Sequence, residues 1–425
     1  MTFDLAIEAV AHSAPNGWLV EEFRRHATLV DEVKADSDMP LLSLASTGVV
    51  SPRIEEGGMG KQIPSKSTIQ RYWIARPGNL VVNPMWLVGG GIGVSQVTGA
   101  VSPDYRVYKL GSKLFPPFIH HLLRSQPYRD QYRLYMRAET TFDRRVSKLN
   151  FHPMPLLIPP LEEQRRIADF LDSETARIDR LDMLQREALE LLGERELAIR
   201  DGLVNGLAQK IGEVPLRRFI TRIDQGESPQ CEAFPREDDE WGVLKLSAIK
   251  SGRFNAKENK RLPSGEEPRI EYEIRPGDLL VTRANTPQLV GDVAVAYGKV
   301  QGLLLPDLIY RISLTSDVSP EYVAQVALSG RVRSLIQSTA RGSSQSMVKL
   351  RGEDIREWLI PAATSTQQES LVREINQCTS VIERAANTIR RQLDLLAERR
   401  QTLISAAVTG QLDVTTARRT TAQLS

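Results

Sequence analysis

The sequence predicts an α+β protein built twice: a mixed globular region, a long helix, a second mixed globular region and a second long helix. Three observations predict it. Prolines cluster and then stop: Pro153, Pro155, Pro159 and Pro160 precede a stretch without proline that lasts to Pro215, and none follows Pro361. Proline suits the first turn of a helix and breaks its interior, so each cluster marks a start and each gap a long helix. Ile375, Ile382, Ile389, Leu396 and Leu403 then recur at seven-residue spacing, the apolar seam of a coiled coil. Finally, the second half echoes the first at an offset of 199 to 204 residues.

In chain order, the first globular region carries "RPGNLVV" at 76–82 and "SPDYRVYKL" at 102–110, and Phe118–Tyr128 reads as a helix. The first long helix, over 161–207, would extend about 70 Å at 1.5 Å per residue. Its seam residues are Leu171, Ile178, Leu192 and Ile199, interrupted once by Gln185. The second globular region answers with "RPGDLLV" at 275–281 and "LPDLIYRISL" at 305–314. Apolar runs between Gly and Pro place strands at Val243–Leu246, Leu279–Thr282, Val293–Tyr297 and Leu308–Leu314, and Pro320–Ile336 reads as a helix. "VSKLNFHPMPLLIPP" before the first long helix is matched by "MVKLRGEDIREWLIP" before the second. An offset of 204 lays the first seam on the second, "LLGER" on "LLAER" and Gly206 on Gly410. The expected divisions are 1–155 and 211–360 for the globular regions, 156–210 for the first helix, and 361–425 for the second helix and tail. Short strands mixed with helices make each globular region α+β.

Composition narrows the function. The chain has 425 residues, enough for two to four domains. Its net charge is +2, so any surface for nucleic acid must be local. Cys231 and Cys378 are the only cysteines, which excludes a disulfide scaffold and suits a reducing cytoplasm. "MTFDLAIEAV" lacks the pattern of a signal peptide, and no apolar stretch reaches the ~18 residues that would span a bilayer. A soluble, cytoplasmic protein is expected.

Candidate catalytic motifs are weak. "NPMW" at 83–86 resembles the Asn-Pro-Pro-aromatic motif of amino-methyltransferases but lacks its second proline, and no Gly-rich methyl-donor loop precedes it. "GGGIG" at 89–93 lacks the Lys-Ser/Thr ending of a phosphate loop and reads as a flexible turn inside a sheet. Asp238 or Asp239 with "ENK" at 258–260 imitates a metal-nuclease pattern that is common in charged loops. Five histidines and two cysteines at unrelated spacings offer no zinc site. No catalytic residue and no metal ligand is expected.

Two other features recur in both halves. Residues 331–351 hold five basic residues and no acid; residues 129–148 hold six basic and three acidic. Each segment lies just before its long helix. Lys and Arg on one surface would neutralise phosphates and release counterions. A solvated helix face is the simpler reading of either alone; duplication favours two like patches. The DNA-contact candidates are Arg144, Arg145 and Lys148, then Arg341, Ser343, Gln345 and Lys349, with Gln345 suited to an adenine edge. Beside the seams, Leu184, Leu189 and Leu191, then Val381, Leu393 and Leu395, widen the apolar face beyond a two-helix coil. Leu184, Leu191, Val381 and Leu395 are the partner-binding candidates.

"IPPLEEQRRIADFLDSETARIDRL", "LLAERRQTLISAAVTGQLD", the paired "RPGDL"-type turns and "GSSQSMVKL" resemble the DNA-specificity subunit of type I restriction–modification systems over nearly the whole chain. The resemblance implies two target-recognition domains set apart by two antiparallel helices, with pseudo-twofold internal symmetry. Each domain would read one half of an asymmetric split site. The helices would set the gap and recruit two modification subunits that methylate adenine with S-adenosylmethionine, joined in some systems by an ATP- and Mg-dependent motor–nuclease. No cofactor is expected on this chain. "TSTQQESLVREI" at 364–375 is a divergent copy of "LEEQRRIADFL", and the first domain lacks the "GESP" turn of 226–229. The alternatives are a related two-subunit or orphan methylation system, a structural coiled-coil adaptor without DNA contact, and a fused methyltransferase or nuclease.

Overall fold

The computed structural model describes residue 12 and residues 14–31, 39–53, 66–136, 144–344 and 347–414. Two compact units form: Met1–Gln185 with Arg391–Ser425, and Arg186–Arg390. Each unit thus takes the start of one long helix and the end of the other.

In the first unit, β1 (Leu19–Glu22) leads through a short 3-10 turn to β2 (Ala27–Leu29). Then come β3 (Leu80–Val82), β4 (Ile92–Val94) and β5 (Arg106–Leu110), and helices α1 (Pro116–Arg124), α2 (Gln126–Tyr135) and α3 (Lys148–Phe151). β6 (Pro155–Ile158) and the 51-residue α4 (Leu161–Ile211) follow. An antiparallel sheet runs β2-β5-β3-β4, while β6 returns to pair with β1. Apolar residues fill β3 and β4 on both faces because the sheet is covered on both sides. The core gathers Phe23, Tyr108 and Phe151 edge to face, with Ile167, Ala168 and Leu171 of α4 and Ala407 and Val408 of the C-terminal helix. Those two helices run antiparallel here: Arg400 pairs with Asp179, and Gln392 accepts from Gln185 at 3.1 Å. The one polar break in the first seam is therefore met by a second glutamine.

The second unit repeats this plan. β7 (Glu213–Pro215), β8 (Ile220–Gln225), β9 (Leu279–Thr282), β10 (Ala284–Asn285), β11 (Val293–Val295) and β12 (Ile309–Leu314) precede α5 (Pro320–Ala327) and α6 (Gly330–Thr339). β13 (Arg341–Ser344), β14 (Met347–Lys349), α7 (Gly352–Arg356), β15 (Leu359–Pro361) and the 44-residue α8 (Ser365–Val408) complete it. The sheet order β8-β12-β9-β11 reproduces that of the first unit, and β7 pairs with β15 as β1 does with β6. Val204 of α4 and Leu371 and Ile375 of α8 enter its core beside Trp358 and Tyr322.

Three expectations need correction. The single helices read at Phe118–Tyr128 and Pro320–Ile336 are each two. Ser125 and Ser329 stand extended at the break, and each hydroxyl donates to the carbonyl three residues back, Leu122 and Val326, at 2.7 Å. Pro127 explains the first break, since its ring is tolerated only in the opening turn of α2. The second has only Gly330 as a signal. The "VSKL" to "MVKL" match is displaced by three residues. Met154 and Trp358 accept from Phe23 and Leu216 at equivalent places, an offset of 204, and Val146 is matched in space by buried Leu350, not by Met347. The "GGGIG" segment is a tight turn rather than a flexible one. Gly90 has φ +90°, a Cβ at Gly93 would run into the Gly48 carbonyl, and Arg124 holds the carbonyls of Gly90 and Ile92 at 2.6 and 3.1 Å.

Candidate nucleic-acid interface

In the first unit the structure sorts the basic segment into scaffold and surface. Arg129 donates to the Arg124 carbonyl at 3.0 Å, and Arg133 pairs with Asp130 at 2.7 Å along the same helix. Burial pushes the Arg124 guanidinium down to about 10 while it ties the glycine turn. Three of the candidates lie further on. Val146 is fully buried, and its N–H donates to the Pro84 carbonyl at 2.9 Å. That anchor fixes its neighbours. Arg145 is exposed and reaches the Asp104 carbonyl at 3.4 Å; Lys148 is exposed at the start of α3, which Ser147 caps by accepting from Asn150 at 3.1 Å; Arg144 is half-buried and partnered.

The second unit makes the same division with different parts. Arg331 pairs with Glu213 at 2.8 Å, and Arg333 donates to the carbonyls of Val290 and Gln288 at 2.9 and 2.7 Å, so both serve the scaffold. β13 and β14 form a hairpin that joins β10 in a three-stranded sheet. Arg341 stands opposite Lys349 in that ladder, Ser343 shares the strand of Arg341, and Lys349 is exposed. Gln345 lies outside the described residues. Leu350, like Val146, is buried and donates to a loop carbonyl, that of Arg283, at 2.8 Å. Each unit therefore pins its basic segment to the loop that follows the central strand, β3 or β9.

On the long helices the seam residues turn inward: Leu171, Ile178, Ile375 and Ile382 are buried. Leu184 and Leu395 in the first unit are 43% and 55% exposed, and Leu191 and Val381 in the second are each 58% exposed. Leu189 and Leu393 are half-buried.

The weak motifs resolve into structure. The Asn83 side chain accepts from the Met85 N–H at 3.1 Å, closing a turn. Asp238 pairs with Lys299 at 3.2 Å, Glu258 accepts from Ser247 at 2.6 Å, and Asn259 is buried as a scaffold amide. No group of three metal-ligating side chains gathers among the described residues, and no helix there is long and apolar enough to cross a membrane.

Two residues escaped the sequence reading. Buried Gln164, in the first turn of α4, accepts from Phe115 N–H at 2.8 Å and donates to the carbonyls of Lys113 and Pro159 at 2.9 and 2.8 Å. Gln368 in α8 repeats all three bonds, to Ser319, Asp317 and Ala363, at 2.9, 2.8 and 3.0 Å. Each glutamine locks its long helix to the entry of α1 or α5. The offset of 204 aligns the two, so the signal was present in the divergent "TSTQQESLVREI".

No protein-family model matches the chain. The chain is similar to specificity subunits of type I restriction enzymes. It is 34% identical over 149 residues to the EcoEI specificity subunit of Escherichia coli, covering 35% of this chain and 24% of that protein. It is 25% identical over 309 residues to the EcoKI specificity subunit of Escherichia coli strain K12, covering 70% of this chain and 66% of that protein. The matches thus span about a quarter and just under two thirds of those relatives. Among solved structures, a chain from work on complex assembly and conformational transition of the type I R-M system shares the fold, with a TM-score of 0.65 at 16% identity, over 94% of this chain and 99% of that one.

Proposed function

We propose that this chain is the DNA-specificity subunit of a type I restriction–modification complex. One observation carries the reading: the same four-stranded sheet, a basic segment pinned to the loop after its central strand, and a long helix occur twice in one chain. Residues 1–155 and 211–360 are the two recognition domains, and each reads one half of a split site. Arg144, Arg145 and Lys148 in one domain, and Arg341, Ser343, Gln345 and Lys349 in the other, meet DNA. Arg and Lys mostly hold phosphates, and base discrimination falls to side chains that reach a groove edge. The loops after the central strands differ, "NPMWLVGGGIG" against "TRANTPQLVGD", so the half-sites are unlike. Half-sites read from one face of B-DNA lie about one turn, ~34 Å, or a multiple apart, which the helices would set.

The chain supplies recognition and no catalysis. Leu184, Leu191, Val381 and Leu395 recruit two methyltransferase subunits, and S-adenosylmethionine, ATP and Mg belong to partner subunits. The test is direct. The purified full-length chain is mixed with random-sequence duplexes, and the bound fraction is sequenced at several salt concentrations. Binding that weakens with salt and enriches a two-part motif supports the proposal. A structural adaptor would give no retained DNA.

A further inference from the structure

Arg106 in β5 is 7% exposed. Its Nη2 donates to the Val146 carbonyl at 2.8 Å, but its Nη1 is buried and makes no hydrogen bond. The second unit shows what the scaffold needs at this place. Arg106 stands opposite Val82, two residues after Leu80 of "RPGNL"; Tyr310 stands opposite Val281, two after Leu279 of "RPGDL". The Tyr310 hydroxyl donates to the carbonyl of Leu350, the counterpart of Val146. A phenol therefore makes the scaffold bond here, and Arg283 donates to that phenol at 3.2 Å. The bond to this carbonyl therefore does not itself need the charge of Arg106.

That charge is also unmatched. The buried strand arginine of the second unit, Arg311, has Asp224 at 3.1 Å, Asp278 at 3.7 Å and the carbonyls of Glu271 and Glu273. Among the described residues no carboxylate faces Arg106. Burial lowers the Arg106 guanidinium from its usual value; its neighbours are the neutral Tyr108 hydroxyl, which offers it an acceptor and lies 3.1 Å from His152, and Arg145, a like charge. An unpaired buried cation is costly, and an arriving anion removes that cost. Arg106 lines an open cleft walled by Trp73 and Tyr105 and rimmed by Arg145, Ser147 and Lys148. Among the described residues three cations and no acid line this cleft, beside the segment pinned by Val146, and the Asp104 carboxylate lies 4.0 Å from Arg145 at its rim.

We infer that this cleft seats a phosphate of the bound DNA backbone, with Arg106 as the deep donor and Arg145 and Lys148 at the rim. The guanidinium fork suits a phosphate, and such contacts fix register without reading sequence. In the second unit Tyr310 stands where Arg106 does, and Arg283 donates to its hydroxyl at 3.2 Å, so this seat as built from Arg106 belongs to the first reader. The inference rests on the DNA-binding reading above.

The test compares the full-length wild type with Arg106→Tyr, which keeps the scaffold bond, and with Arg145→Ala/Lys148→Ala, whose exposed side chains leave folding intact. Binding to one fixed duplex is measured against salt. Arg106→Tyr is expected to weaken binding roughly tenfold and to lower the salt slope by about one unit. The rim pair should lower it by about two, and sequence preference should stay the same in both. Unchanged slopes in folded variants overturn the seat; should Arg106→Tyr fail to fold, the rim pair alone decides. Stabilisation of the wild type by inorganic phosphate at constant ionic strength, lost in Arg106→Tyr while the DNA slope is unchanged, would assign the cleft to a small anion and also overturn it. If the wild type itself retains no duplex, the DNA reading fails, and the seat with it.

Discussion

Gln164 gives the sharpest test of how a recognition domain is fixed to its helix. Gln164→Met keeps most of the side-chain volume, so little of its effect comes from a cavity. It removes three buried hydrogen bonds, to Phe115, Lys113 and Pro159. At about 1 kcal/mol net for each bond, the loss is about 3 kcal/mol, and more if the Phe115 N–H stays buried without a partner. For a unit of this size that corresponds to a fall in midpoint of roughly 6–12 °C. Gln368→Met should cost the second unit a similar amount, because it makes the same three bonds. Calorimetry and urea titration at neutral pH read both. A loss below about 1 kcal/mol for either variant would refute the claim that this amide locks helix to domain.

Changing Leu191 and Leu395 together to Asp should abolish co-purification with a methyltransferase subunit while circular dichroism stays helical; exposed substitutions of this kind usually cost the fold less than ~0.5 kcal/mol, and an unaltered complex would discard the helix surface as the docking site. Lys349→Ala should weaken DNA binding across sequences and reduce the salt slope by about one unit, and an unchanged slope would remove Lys349 from the interface. Burial, with His121 and Arg124 nearby, pushes His120 down to about 3. The unfolded chain therefore takes up a proton that the folded one refuses. First-unit stability should fall as pH drops from about 6.5 towards 3, by up to ~1.4 kcal/mol per pH unit, and His120→Gln should flatten that fall between pH 7 and 5. Equal falls in the two proteins would rule His120 out.

What the sequence disclosed was mostly periodic. The heptad of Ile375, Ile382 and Ile389 and the proline gaps located both long helices, because coiled-coil packing and helix starts depend on local pattern. The "RPGNL" and "RPGDL" turns located the two central strands. Breaks without a proline were harder to see. Ser329 splits α5 from α6 through its backbone angles and a bond to Val326, which periodicity does not record. The site was less legible than the fold. Lys148 and Lys349 were matched by a four-residue likeness that the ladders place three residues out of step. Arg333 and Arg129, which counted towards basic segments, are spent on carbonyls of the scaffold. Arg106 passed as one polar residue in a strand. Its place is seen only when the register sets it against Tyr310 and the buried Nη1 is found without a hydrogen bond.

The central claim is that two readers act separately on one DNA site. Its most direct measurement is a selection from random duplexes with the full-length chain, and then with a chimaera in which residues 1–150 come from a relative of different specificity. The account predicts a two-part motif separated by unread bases, with one half changed in the chimaera and the other half and the gap retained. A continuous motif, or a chimaera in which both halves change, would contradict it.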